Sequence, residues 1–332
     1  MGGLCAFIPA AAEAAPAVGG GTLAEPASGP SAPAFAYGGD VARYVLVKNW
    51  DFGAKGTIRS SSELSSHFQY HDQFGLIANG GGYGSVIVAP DAANAKAGQP
   101  VEDPAHPVRE FLESSMRTYL VPLKGATVLD PKLRNTGNGS FQARWTLPGG
   151  GSLLGQDMIW ETRVRYVTPP YFWFAIWTAG NKWSKGAEMD LIESFGYDNG
   201  GGSTNFNGRY WHSSSVGGKD DTNYHANWGK AMKGHGVEKF DATQWHVWTW
   251  VYRADDTYTA YLDGKPVQTG KMHWTFGARP DGEPINMSFI FDGGWGHQKV
   301  KNVSRTLPAE ELKGKYYEWD YSRVWLRKAA GG

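Results

Sequence analysis

From Tyr37 onward this chain carries almost no 3.6-residue helical periodicity. Short runs of alternating apolar and polar residues follow one another instead, separated by turn residues. Tyr44–Lys48, Gly84–Ala89, Thr118–Leu123, Ser140–Trp145 and Met158–Tyr166 read as strands. Trp245–Tyr252 reads as a central strand and Tyr321–Leu326 as a closing one. Thr257–Leu262 runs into Asp263-Gly264, the dipeptide that suits a two-residue type I′ turn, and Pro266–Gln268 returns. Helical periodicity is weak and confined to Val108–Met116 and Pro308–Leu312. Many short strands without an internal repeat predict an all-β fold, an antiparallel β-sandwich jelly roll, over residues 37–330. A chain of 332 residues buries enough core to need no covalent staple.

Composition narrows the function classes. Lys plus Arg and Asp plus Glu both number 32, so no global field draws the chain to nucleic acid or to an anionic membrane. The single cysteine, Cys5, excludes an internal disulfide and a cysteine-based zinc site. No run approaches the ~18 apolar residues of a membrane span. The 45 glycines suit tight turns, and 15 Trp, 16 Tyr and 15 Phe supply large rings. Those rings either fill a broad core or offer flat platforms to a ligand such as a sugar. Residues 1–36 hold 12 Ala, 6 Gly and 5 Pro and no Lys or Arg. They cannot build a core, and they read as a flexible leader or linker, either a plain linker or the remnant of a secretory signal that starts upstream.

The segment Gly186–Gly196 is the most informative. Glu188, Asp190 and Glu193 sit among Met189, Leu191 and Ile192 in what otherwise reads as a buried strand, where carboxylates are depleted. Strand alternation puts Glu188 and Asp190 on one face. Glu193 joins them only if one residue is extruded, so a β-bulge at Leu191–Ile192 is predicted. Three carboxylates so close cannot all ionise cheaply, and at least one pKa must rise. Hydrolysis of a glycosidic bond with retention needs that pairing, one carboxylate attacking and a protonated one donating about 5–5.5 Å away. Glu188 is assigned as nucleophile, Glu193 as acid/base and Asp190 as the helper between them. A calcium-binding acidic cluster and a solvated edge strand are the competing readings.

Glu188-Met-Asp190-Leu-Ile-Glu193 resembles the bulged Glu-x-Asp-x-x-Glu signature of glycoside hydrolase family 16, the laminarinase, lichenase, agarase and carrageenase group. Trp173-Phe-Ala-Ile-Trp177, Tyr210-Trp-His212, Tyr261-Leu-Asp-Gly264 and Trp319-Asp-Tyr-Ser-Arg-Val-Trp325 are similar to further family segments in the same order. Phe174 departs from the family's usual proline, and Phe289–Trp295 matches only loosely. The resemblance implies a concanavalin-like sandwich with a concave cleft. It implies a retaining endo-glycosidase, with a β-1,3- or mixed-linked glucan as substrate. A red-algal galactan is the alternative substrate, and a non-catalytic carbohydrate-binding jelly roll the alternative class. A uronate lyase would need a Tyr or His base and a cation, which this cluster does not supply.

Around the acids, Trp173, Trp177, Trp211 and His212 are the candidate substrate contacts, with structural roles as their alternatives. His67 and His71 are four apart without an evident third metal ligand. No cofactor is expected in the chemistry. By the resemblance, Asp320 is a candidate ligand for a structural calcium ion. The expected partner is a polysaccharide, with no nucleic acid and no membrane. The chain is expected to be a monomer, and secreted or periplasmic. A sulfated substrate would call for a basic rim, for which Arg163, Arg165 and Arg209 are the candidates.

Overall fold

The computed structural model describes residues 32–37, 41–69, 85–87, 108–122, 125–130, 136–138, 141–143, 157–167, 172–180, 188–194, 209–213, 224–227, 242–255, 257–271, 287–295 and 306–327. Two antiparallel sheets dominate. In the first, the strand order is Lys265–Lys271, Thr257–Leu262, His246–Tyr252, Met158–Val167, Tyr316–Arg327, Met116–Tyr119 and Arg109–Phe111. Tyr44–Asp51 also pairs with Tyr316–Arg327, beside its C-terminal half. In the second, the order is Tyr224–Asn227, Arg209–Ser213, Glu188–Ser194, Phe172–Gly180, Met287–Trp295, Phe141–Ala143 and Phe68–Gln69. The architecture is the jelly-roll sandwich that the strand pattern predicts.

The sheets are joined by aromatic rings. Alternate positions of Met158–Val167 and Tyr316–Arg327 point into the sandwich, so Trp160 meets Phe289 with ring centroids 4.6 Å apart and Trp319 meets Phe291 at 5.1 Å. Phe174 packs on Tyr317 at 5.2 Å, and Trp50 closes on Phe289 at 6.0 Å. Trp50, Trp160, Trp248, Trp250, Trp319 and Trp325 are all fully buried. Most of the tryptophans whose side chains the structure describes therefore serve packing.

Local structure follows local chemistry. Asp263 and Gly264 take φ of 49° and 74°, the left-handed pair that a type I′ turn requires. Val108–Met116, whose periodicity is weakly helical, forms strand instead: Arg109–Phe111 pairs with Met116–Tyr119, which pairs in turn with Tyr316–Arg327. A helix the periodicity does not reveal, Ser61–His67, starts where Ser60 accepts from the Glu63 N–H at 3.2 Å. That Ser-x-x-Glu spacing is a capping signal visible in the chain itself. The short 3-10 turn Ala309–Leu312 lies within the second weakly helical stretch.

The outer face of the first sheet is polar, yet partly covered. Glu161 is buried there and accepts from Tyr321 Oη at 2.9 Å, from the Ala34 N–H at 3.0 Å and from Tyr37 Oη. Pro33 and Tyr37 are buried, and Tyr261 Oη donates to the Tyr37 carbonyl at 3.1 Å. The boundary drawn after residue 36 thus runs through a segment, residues 32–37, that is docked on the domain. Further along this face, the buried Glu318 carboxylate accepts from Ser115 Oγ at 2.6 Å, Arg165 Nε at 3.0 Å and Arg117 Nε at 3.1 Å.

Burial alone would raise the Glu318 pKa, but the hydrogen bonds from Ser115, Arg117 and Arg165 outweigh it and hold the carboxyl below its usual range. A carboxyl depressed in the folded state adds stability that is present above its unfolded pKa and lost as pH falls through the folded one. Glu318→Gln should therefore cost about 1–3 kcal/mol near neutral pH. The difference should shrink once pH falls below about 4. Urea unfolding of both proteins at the two pH values checks this.

Candidate active site

Glu188–Ser194 lies between Phe172–Gly180 and Arg209–Ser213. Its register contains the feature that matters most. Ile192 pairs with Ile176 and Asp190 with Trp177, so Leu191 has no partner on Phe172–Gly180 and forms a bulge. Leu191 and Ile192 are both fully buried in the core. Keeping two successive apolar side chains inside forces the strand to gain a residue. The gain shifts the alternation by one position.

The consequence for the acids can be read from the pairing. Glu193 stands opposite Ala175 and Asp190 opposite Trp177, two positions on the same face of Phe172–Gly180. Glu188 follows by alternation, two residues before Asp190. Phe174 and Ile176, the intervening positions, point into the core. Strand positions 188, 190 and 193 therefore share the outer face of the second sheet. Successive members are about 6.6–6.8 Å apart along the strand. The bulge predicted at Leu191–Ile192 is present. For Glu188, Asp190, Glu193, Trp173, Trp211 and His212, strand position is what the structure describes.

The same register sorts the other candidates. Trp211 pairs with Asp190 and shares the carboxylate face, and position 173 lies on it as well. Trp177 is on that face but only 6 % exposed, so it offers little ring surface for a sugar to stack on. His212 pairs with Met189, which puts it on the opposite face from the acids. A hydrogen bond from His212 to Glu193 across the sheet does not fit that register. The histidine position on the carboxylate face is His225, which pairs with Trp211. Asp292 joins it there, paired with Ala175 on the side away from Glu193 and so two strands from it. Sequence reasoning passes over His225 and Asp292 because their facing depends on pairings between distant strands.

Arg163 and Arg165 do not rim this face. They lie on the outer face of the first sheet, each with its guanidinium carbon 4.8 Å from the Trp245 ring. Arg209 does belong to the second sheet, two positions before Trp211 and so on the carboxylate face. Asp320 does not fit a calcium ligand. Its carboxylate is held by the Arg163 guanidinium, whose positive charge would oppose a cation, and its carbonyl accepts from the Phe52 N–H at 2.8 Å. Among the described residues no three His, Cys, Asp or Glu side chains group as a metal site. His71 lies outside the described residues.

No family model matches the chain, and no curated protein sequence matches it. Solved structures do. A non-specific endo-β-1,3(4)-glucanase from family GH16 superposes with a TM-score of 0.54 at 12 % identity, covering 86 % of this chain and 92 % of that one. An endo-1,3-β-glucanase from Streptomyces sioyaensis gives 0.52 at 14 % identity, over 91 % of this chain and 100 % of that one. β-Agarase B from Zobellia galactanivorans gives 0.52 at 11 % identity, over 86 % and 96 %. The fold is that of the family 16 glycoside hydrolases, as the Glu188–Glu193 motif and its flanking segments imply.

Because Leu191 fills the core at the bulge, Leu191→Ala should destabilise the protein by about 2–5 kcal/mol. Denaturant unfolding with an unchanged m-value checks that the loss is one of packing.

Proposed function

We propose that this chain is a retaining endo-glycosidase that cuts internal β-linkages of a polysaccharide. The observation that carries the proposal is the bulge at Leu191, which brings strand positions 188, 190 and 193 to one face of a sheet whose opposite face is sealed core. Two glutamates separated by two strand steps can bring their carboxyls to the ~5–5.5 Å that retention requires. Glu188 attacks the anomeric carbon to form a covalent glycosyl-enzyme. Glu193 gives its proton to the leaving oxygen and then takes one from the water that releases the sugar. Asp190, between them, orients Glu188, and its negative charge keeps Glu193 protonated. Trp211 and Trp173, at positions on the same face, suit stacking on pyranose rings.

The fold shared with glucanases supports a β-1,3- or mixed-linked glucan as the substrate. The equally similar agarase keeps a galactan as the second reading, and Arg209 on the carboxylate face suits an anionic substituent better than a neutral glucan. A polymer of this kind is met outside the cell or in the periplasm, where we place the enzyme, acting as a monomer. Among the described residues no helix is long and apolar enough to cross a membrane.

A reducing-sugar assay on laminarin, lichenan, agarose and κ-carrageenan should show cleavage of one polymer by the wild type and none by Glu188→Gln. The loss expected for a missing nucleophile is at least about 10³-fold. Full activity in that variant would remove Glu188 from the chemistry. Anomeric NMR of the first product should show the β configuration. The alkaline limb of the pH–rate profile should report Glu193 losing its proton at a pKa above the ordinary ~4.3. It should disappear in Glu193→Gln assayed with an activated aryl glycoside, whose leaving group needs no acid.

A further inference from the structure

The outer face of the first sheet carries a cavity of about 270 Å³, separated from the carboxylate strand by the whole sandwich core. Its floor is closed by Ile159 and Val251, which pair across neighbouring strands. Val41 and Tyr44, both half-buried, form one wall, and Tyr37 of the docked N-terminal segment forms another. Among the described residues, three guanidiniums line it, Arg43, Arg253 and Arg327, against the single carboxylate of Asp157. That carboxylate is already engaged, by Arg327 Nη1 at 2.7 Å and the Ala254 N–H at 2.8 Å. Its described residues therefore carry two net positive charges, in a chain whose overall charge is zero.

Guanidiniums on an apolar-walled pocket suit a small ring that bears an oxyanion. The planar fork matches carboxylate and sulfate geometry, and partial enclosure weakens screening. The volume lies just below the ~300–1,000 Å³ of ordinary ligand sites, enough for one ring and too small for an oligosaccharide. We propose that this pocket binds an anionic sugar unit, a uronate or a sulfate ester. Arg43, Arg253 and Arg327 hold its acidic group, and Val41 and Tyr44 meet the ring. The choice of a sugar over another anionic ring rests on the glycosidase reading; the choice of an anion does not. Such a site would hold the enzyme on a charged polymer while the opposite face cuts. Tyr37 in the wall also ties occupancy to docking of residues 32–37.

The test is calorimetric titration of the full chain with galacturonate, galactose 6-sulfate, galactose and inorganic sulfate, at low and high salt. Both charged sugars should bind, more weakly at high salt, and galactose should not. Arg43→Gln/Arg253→Gln should weaken that binding by about tenfold or more while leaving cleavage of a small uncharged aryl glycoside, which needs no second anchoring site, unchanged. If circular dichroism shows that the double variant is unfolded, Arg43→Gln, at an exposed position, carries the comparison. Equal binding of galactose, or undiminished binding by the folded variant, overturns the proposal. Inorganic sulfate bound as tightly as the sugar ester overturns the sugar assignment. Binding is read directly, so a chain that cuts none of the polymers would refute the glycosidase reading without touching this result.

Discussion

Everything functional in this protein depends on the aromatic contact between its two sheets. Trp160 on Phe289 and Trp319 on Phe291 fill the interior with rings, and those rings occupy alternate positions of their strands. Because strands alternate, filling the inside hands every other position to the outside. The two outer faces are thereby free to carry polar and charged chemistry at no cost to the core. They carry different chemistry, with the carboxylate strand on one and the arginine-lined cavity on the other.

The bulge at Leu191 is where packing and chemistry meet. A regular strand over Glu188–Ser194 would put Glu193 on the face opposite Glu188 and Asp190. Committing both Leu191 and Ile192 to the core breaks the alternation once, and the third carboxylate crosses to join the first two. A second irregularity, in Tyr316–Arg327, leaves Asp320 without a partner on Met158–Val167, and there the extra residue reaches Arg163. The same backbone device gathers like charges at one place and forms an ion pair at the other. Which outcome results depends on what the neighbouring strand presents.

The legible part of the fold was what local pattern encodes. The strand over Met158–Val167, the Asp263-Gly264 turn and the bulge beside the acids each follow from a few consecutive residues. So did the Ser60-x-x-Glu63 cap, although periodicity alone conceals the helix that it opens. What misled were features whose meaning lies in another part of the chain. His212 is adjacent to Trp211 in sequence but faces the other way, while His225, thirteen residues on, shares Trp211's face. Arg163 and Arg165 read as a possible rim, yet their strand belongs to the other sheet and their guanidiniums lie against Trp245.

By itself the sequence determined the all-β class, the turns and the candidate chemistry, because alternation, turn residues and three acids among apolar neighbours act over distances of a few residues. Only the tertiary structure decided which sheet each strand joins, which residues face the acids, and that three arginines from separate segments line one cavity with Asp157. Those depend on pairing between residues as far apart as Tyr44 and Arg327. Register across such separations is set by how the rings of both sheets fit together, and no local pattern contains that fit.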